Sequence, residues 1–399
     1  METERPDRLP HIRALLALSM IPSLGAAKIG RLARAFSPLS SVFSMDRKAL
    51  TSVPGIGGSI AGAIRAFRQW GRVDAVLEQA EQQGIELLVP QDPDFPALLR
   101  EIPDPPLMLW VRGALEALNR PGLAVVGTRN PSTSGREATV RFTRELLEAG
   151  DLAIISGLAR GVDTLAHRTA LEQQGCTVAV LGSGVNRIYP ADNTRLAHKI
   201  IEGGGAVVSE YPPGSKPDAH HFPVRNRIVS GMALGVLVTE TGPRGGSRIT
   251  IDKALDQGRE VFIVPHDIRR PSGYGCNVFI QRGWGKLVTC AADILEELPG
   301  YTGHTAGPLP DDAAGSGGNH PAFGSKSIMR TRITGPEAWH RAAGGMGERL
   351  CRELDGRERQ IDELAAALNR PAPALLSVLL ELELAGLVAQ KPGKKFTAA

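Results

Sequence analysis

The stretch Leu123-Ala124-Val125-Val126-Gly127-Thr128-Arg129-Asn130-Pro131-Ser132 decides the fold. Four consecutive apolar side chains describe a strand buried on both faces, because a strand with one wet face alternates instead. The run stops at a glycine, and polar residues then lead into a helical stretch at Ala138–Ala149. Strand, glycine-bearing loop and helix open a βαβ unit. Further apolar runs follow at Leu152–Ile155, Thr177–Leu181, Ala206–Val208, Leu234–Val238, Val261–Val264 and Leu287–Val288. Helical stretches such as Thr164–Gln173 and Thr250–Gln257 separate them. An α/β fold with a doubly wound parallel sheet is expected. Such sheets bind ligands outside the carboxyl ends of their strands, so the loops there are the candidate site.

Gly127 permits close backbone approach, Thr128 offers a hydroxyl, and the helix N-terminal amides can hold a phosphate. Arg129 adds a bidentate cationic fork. A second loop, Ser156-Gly157-Leu158-Ala159-Arg160-Gly161, repeats the design. The third, Gly182-Ser183-Gly184, has Arg187 where a dinucleotide fingerprint needs glycine, which speaks against NAD. After the fifth strand comes Thr241-Gly242-Pro243-Arg244-Gly245-Gly246-Ser247. Several such loops on one edge suit a chain of phosphates better than one nucleotide.

The densest candidate nucleic-acid patch is His220-His221-Phe222-Pro223-Val224-Arg225-Asn226-Arg227. Its arginines can pair with phosphates and Phe222 can stack on a base. The alternative is that Arg225 or Arg227 forms an internal ion pair and Phe222 is core. No cysteine or carboxylate stands at ligand spacing from the two histidines, so no metal is expected. Asp163, Glu210 and Glu240 come with neither a nucleophile elbow nor a carboxylate cluster. N-cap or ion-pair roles are expected for them, with no catalytic residue and no cofactor.

Working outward, residues 10–72 read as short helices. The turns Ile21-Pro22-Ser23-Leu24-Gly25 and Val53-Pro54-Gly55-Ile56-Gly57, each before an apolar-periodic helix, describe helix-hairpin-helix units. A proline-punctuated connector at 91–120 holds a strand at Leu107–Val111. Residues 300–346, rich in glycine and proline, read as a flexible linker. Beyond it, three amphipathic helices and a short hairpin outline a winged helix. Its third helix is leucine-rich and acidic, which points to a protein contact; only the wing, Lys391-Pro392-Gly393-Lys394-Lys395, is basic. The expected domains are therefore 1–85 (helical, helix-hairpin-helix or SAM-like), 86–299 (sheet), 300–346 (linker) and 347–399 (winged helix).

Composition sets the limits. A chain of 399 residues exceeds one compact core, and 42% hydrophobic with 22% charged residues excludes disorder throughout. A net charge of +4 identifies no polyanion binder, so placed arginines must carry that reading. Aromatics at 5% exclude a broad stacking platform. Four cysteines lie far apart, against zinc spacings and a disulfide framework. The apolar run Ala14–Met20 meets Pro22 well short of the ~20 residues of a membrane span. A cytoplasmic protein is expected.

Taken together, these motifs resemble the DprA/Smf family of DNA-processing proteins. The residues that carry the resemblance are Gly127-Thr128-Arg129, Ser156-Gly157-Leu158-Ala159-Arg160-Gly161-Val162-Asp163, Gly182-Ser183-Gly184 with Tyr189-Pro190, and Ser209-Glu210-Tyr211-Pro212. Phe222-Pro223-Val224-Arg225-Asn226-Arg227, Gly246-Ser247-Arg248 and Gly275-Cys276-Asn277 continue it. The resemblance implies an extended Rossmann domain that binds single-stranded DNA, dimerises and loads the RecA recombinase during natural transformation. It assigns DNA or phosphate contacts to Gly127, Thr128, Arg129, Phe222, Arg225, Asn226 and Arg227, and the strand-end loops add Ser156, Gly157, Gly182, Ser183, Gly246 and Ser247 as expected contacts. One departure is His266 after Pro265, where the family continues with glycine, followed by a loop bearing Arg269 and Arg270. The alternative is a phosphoribohydrolase on the related scaffold. Its glycine motif matches only around Gly245-Gly246, since Ile249 and Thr250 lead to Asp252-Lys253.

Overall fold

The computed structural model describes residues 8–298 continuously and parts of the stretch 346–398. All but the last residue of the expected linker lies outside the described residues. The chain forms two units, residues 1–310 and 311–399.

The first unit begins with helices α1 (Arg8–Ser19), α2 (Ala26–Ala35), α3 (Arg47–Thr51), α4 (Gly58–Arg65) and α5 (Trp70–Gln82). Ile12 and Ala14–Leu18 of α1 are buried, so the longest N-terminal apolar run is the centre of a helical core. No described helix is long and apolar enough to cross a membrane. The turn from α3 to α4 buries Val53 and Ile56 and puts Gly57 at the N-cap of α4, the hairpin geometry expected from its sequence.

Strands β1 (Glu86–Leu88) and β2 (Leu109–Gly113) flank a short helix, α6 (Ala97–Arg100). Then strand and helix alternate through β3 (Gly122–Val126), α7 (Thr133–Glu148), β4 (Ala153–Ser156), α8 (Val162–Glu172) and β5 (Thr177–Leu181). The pattern continues with α9 (Thr194–Glu202), β6 (Ala206–Ser209), α10 (His221–Gly231), β7 (Gly235–Val238), α11 (Ser247–Asp256), β8 (Glu260–Ile263), α12 (Tyr274–Gln281) and β9 (Lys286–Leu287). The nine-stranded sheet has the order β1-β2-β6-β5-β4-β3-β7-β8-β9. From β6 to β9 all neighbours are parallel. The chain winds one way from β3 to β6, then returns to the other side of β3 with β7. The switch point is therefore between β3 and β7, where Val126 registers with Val238.

All seven expected runs form parallel strands. The connector strand is present at Leu109–Gly113, but it pairs antiparallel with β6, Trp110 opposite Ser209, and β1 pairs antiparallel with it. Both faces of the sheet are covered. Leu123 and Val125 pack with Phe142 and Leu146 of α7, while Ala124 and Val126 pack with Ile228 of α10 and Ile251 of α11. Helices α1–α5 do not form a separate core. Their apolar residues run continuously into Trp110, Leu181 and Val207 of the sheet. Each such fully buried side chain contributes about 1.5–3 kcal/mol, which ties the helical segment to the sheet.

In the second unit a helix at Ile361–Leu368 packs with a three-stranded sheet of Arg359–Gln360, Lys395–Ala398 and Val388–Lys391, in that order. Leu375, Leu379 and Leu382, spaced as one helical face, share its core with Leu350, Leu354, Leu364, Val388 and Phe396. The hairpin is the expected wing. Most of the expected acidic third helix lies outside the described residues.

Candidate nucleic-acid interface

A cleft of about 740 Å³ opens at the switch point. Its walls include Gly127, Thr128 and Arg129 after β3, Gly157 and Asp163 after β4, and Gly246 and Ser247 after β7. The first turns of α10 supply Phe222, Arg225 and Asn226, with Val229 deeper. Positions 222, 225, 226 and 229 follow the spacing of one helical face, so the helix itself aligns them.

Arg129 is exposed on the rim, and Phe222 is half-buried, its ring centroid 5.5 Å from that of the exposed Tyr189. A β-carbon on Gly127 would come within 2.5 Å of Val162 Cγ2 and 2.8 Å of the Glu240 carbonyl. Only glycine fits there. The Thr128 amide donates to that same Glu240 carbonyl at 2.8 Å, which fixes the loop against the end of β7.

Arg225 is 5% exposed, and its Nη1 donates to the Gly157 carbonyl at 2.7 Å and to the Val180 carbonyl. Its Nε donates to Asn226 Oδ1 at 3.2 Å, leaving the Asn226 amide hydrogens as what that side chain can offer a ligand. Burial pushes the guanidinium down to about 10, opposed by the Asp163 carboxylate, so it stays cationic at neutral pH. A β-carbon on Gly157 would lie 2.5–2.6 Å from the guanidinium nitrogens and carbon, so glycine is what lets Arg225 reach across. Asp163 Oδ2 accepts from the amides of Gly157 (3.1 Å) and Ala159 (3.3 Å). Burial raises its pKa, against the Arg225 cation and those two N–H groups. Arg225 is thus a buried strut beneath the cleft more than a free phosphate fork.

The N-terminus of α7 is already engaged. Ser132 Oγ accepts from Gly135 N at 3.2 Å, and the fully buried Glu240 accepts from Ser132 N at 2.7 Å through Oε2. A carboxylate is favourable at a helix N-terminus, and it occupies the place the sequence reading gave to a phosphate. The three carboxylates all have structural partners, since Glu210 is held by Arg227 at 2.7 Å.

Four of the expected site residues are elsewhere. Ser156 is buried and donates to the Val125 carbonyl at 2.7 Å. Ser183 is buried and donates to the Arg187 carbonyl at 2.6 Å. Gly182 packs behind Phe222, its carbonyl accepting from His221 Nδ1 at 3.0 Å. Arg227 bridges Asp104 (3.1 Å) and Glu210, because a residue two positions after Arg225 points to the other side of α10. Tyr189 lines the cleft but was not singled out as a contact. An aromatic beside a proline in a strand-end loop was its available signal. Among the described residues no group of three or more His, Cys, Asp and Glu side chains is placed to hold a metal.

His167, one turn after Asp163, is buried. Thr177 Oγ1 donates to the Ile154 carbonyl, so it must accept from His167 Nδ1–H at 2.7 Å. The bare Nε2 has no partner. Burial, aided by Arg225, pushes His167 from 6.5 down to about 3. The unfolded chain therefore takes up this proton first. Stability from the neutral ring is complete above pH 6.5 and is lost as pH falls toward 3, at up to about 1.4 kcal/mol per pH unit. His167→Leu is expected to flatten that acid limb. Urea melts at neutral pH and about two units lower check it, and an unchanged pH dependence would count against it.

A doubly wound sheet, lengthened past β5 and carrying a cleft at its switch point, makes the chain an extended Rossmann protein. The family model described as DNA recombination-mediator protein A matches residues 86–299, and the DprA winged helix domain matches 341–394. Protein Smf of Synechocystis is 32% identical, over 96% of this chain and 97% of its own. Protein Smf of Escherichia coli is 40% identical over 77% and 76%. The X-ray structure of DNA processing protein A from Streptococcus pneumoniae is similar at a TM-score of 0.62 and 32% identity, covering 72% of this chain and 98% of that one. The chain belongs to the DNA recombination-mediator protein A family, the DprA/Smf proteins.

Proposed function

We propose that the chain binds single-stranded DNA in the switch-point cleft and, as a homodimer, delivers it to the RecA recombinase. The observation that carries the DNA reading is the pairing, across one open cleft, of an exposed arginine with an accessible aromatic pair, Tyr189 and Phe222. Phosphate pairing and base stacking are the two contacts by which single strands are held without sequence readout. In a duplex the bases are already stacked on one another, so Phe222 and Tyr189 would have no free face to take. Membership of a family of DNA-processing proteins supports the same reading. Delivery to a recombinase and dimerisation come from the sequence resemblance.

The test is a titration of single- and double-stranded oligonucleotides at two salt concentrations. Tighter, salt-sensitive binding of the single strand is expected, and preference for duplex would overturn the reading. Phe222→Ala is expected to weaken single-strand binding about fivefold, the low end of a base-stacking contribution, because the residue is already partly buried. Anisotropy with a labelled oligonucleotide reads it; unchanged affinity would remove the stacking role.

A further inference from the structure

The helical segment carries a charge pattern that the cleft does not use. Residues 20–72 hold eight lysines and arginines against one acidic residue, Asp46. Their net charge of +7 exceeds the +4 of the whole chain, so the rest of the protein is acidic on balance. Among the described residues none of the eight cations forms an ion pair, and all but Lys28 are exposed. Asp46 is already occupied, capping α3 by accepting from Ala49 N at 2.7 Å. Elsewhere, exposed arginines such as Arg120 and Arg160 have carboxylate partners. Uncompensated cations gathered in one short segment repel one another, and a polyanion relieves that repulsion.

These cations gather around one turn. Lys28, Arg31 and Arg34 stand three residues apart along one ridge of α2, while Ile29 and Leu32 are buried. Arg31 Nη1 donates to the Pro54 carbonyl at 2.9 Å, which draws the ridge against the turn between α3 and α4. A β-carbon on Gly55 would meet the Arg31 guanidinium, and one on Gly58 that of Arg47. The turn at residues 55–58 therefore lies between two guanidinium groups, with Lys48 next to Arg47 in α3. Gly57 caps α4 without a side chain, and a β-carbon there would meet only open space, so the first amides of α4 are not covered. The aromatics Phe43, Phe67 and Trp70 pack on one another, and no aromatic of residues 20–72 is exposed.

We infer that this face of the helical segment is a second nucleic-acid site, one that takes the phosphate backbone of duplex DNA without reading its sequence. A single strand is held by stacking as well as by charge, and this face has no ring to offer. A duplex hides its bases and presents two rows of phosphates, which cations and turn amides can hold alone. The site is separate from the cleft. The helical segment packs on the sheet at Leu181 of β5 and Val207 of β6, whereas the cleft opens between β3 and β7. Without stacking, its affinity for duplex is expected to be lower than that of the cleft for a single strand.

The experiment measures a labelled blunt duplex and oligothymidylate on the full chain by fluorescence anisotropy. Arg34→Ala, Arg47→Ala and Lys48→Ala, combined, remove three exposed side chains that make no hydrogen bond or ion pair among the described residues. Duplex binding is expected to weaken at least about tenfold, and its slope of log affinity against log salt to shrink by about 2.7, or 0.9 per phosphate contact. Oligothymidylate binding should be unchanged. Gly57→Asp installs a preferred N-cap residue in open space and a negative charge at the turn. It is expected to keep the melting temperature while weakening duplex binding, which a purely structural turn would not do. Arg129→Ala is expected to weaken oligothymidylate and spare the duplex. No duplex binding by the unaltered chain, duplex binding untouched by the triple variant, or equal losses for duplex and oligothymidylate overturns the second site. Failure to bind oligothymidylate counts against the cleft reading alone.

Discussion

Replacing Arg129 with alanine is expected to weaken binding of a single-stranded oligonucleotide about 10- to 100-fold, the worth of one charge-assisted hydrogen-bond pair. The side chain is exposed and forms no hydrogen bond or ion pair among the described residues, so it is free for a ligand and nothing in the fold depends on it. Its melting temperature should therefore match that of the unaltered chain. The slope of log affinity against log salt should shrink by about 0.7, the contribution of one phosphate on a single strand. Arg160→Ala is the natural comparison. Arg160 stands in the loop after the neighbouring strand β4, but it is paired with Asp192 at 2.7 Å and does not line the cleft. A loss confined to Arg129→Ala supports the assignment, whereas equal losses would mean that the surface attracts DNA only through its general charge.

Arg225→Met is expected to act in the opposite way, on the fold first. Removing the guanidinium strips donors from the buried carbonyls of Gly157 and Val180 and leaves the Asp163 carboxylate without its cation. Breaking a buried charge arrangement from one side costs about 3–5 kcal/mol. For a unit of this size the melting temperature should fall by on the order of 10 °C. Arg225→Lys should recover only part of the loss, because an ammonium cannot span two carbonyls with a planar fork. Thermal melts by circular dichroism measure this directly. A Met variant within experimental error of the unaltered chain would show that the strut carries no stability. The two substitutions separate a ligand contact from the scaffold under it, although both residues read from sequence as phosphate-binding arginines.

That contrast shows where legibility ended. The parallel strands were readable because burial on both faces demands uninterrupted apolar runs, and each run stands out against its polar loops. Strand β1 was not readable. Glu86–Leu88 is three residues long and begins with a charge, and its pairing comes from β2, which is distant in sequence. The direction of β2 was equally hidden, since an apolar run is the same for either polarity. Within the site, the glycine loops announced themselves by composition. Which of Arg225 and Arg227 faces the cleft did not, because that depends on where α10 begins and how it turns. Glu240 illustrates the same limit: its structural role was foreseen, but its partner lies 108 residues earlier.

The pairing of β2 with β6 has a further consequence for the molecule's behaviour in concentrated solution. A parallel sheet normally ends in bare strands whose backbone groups can template another chain. Here one margin is shortened from within: β2 lies along β6 over four residue pairs, and β1, paired over three, is all that is left as the edge. The other margin is β9, only two residues long, and the Lys286 ammonium on it is tied to Glu297 at 2.7 Å. A rim that short gives an incoming strand almost nothing to zip against. The sheet of the first unit is thereby protected from edge-to-edge aggregation by its own connectivity, while its strand ends stay open.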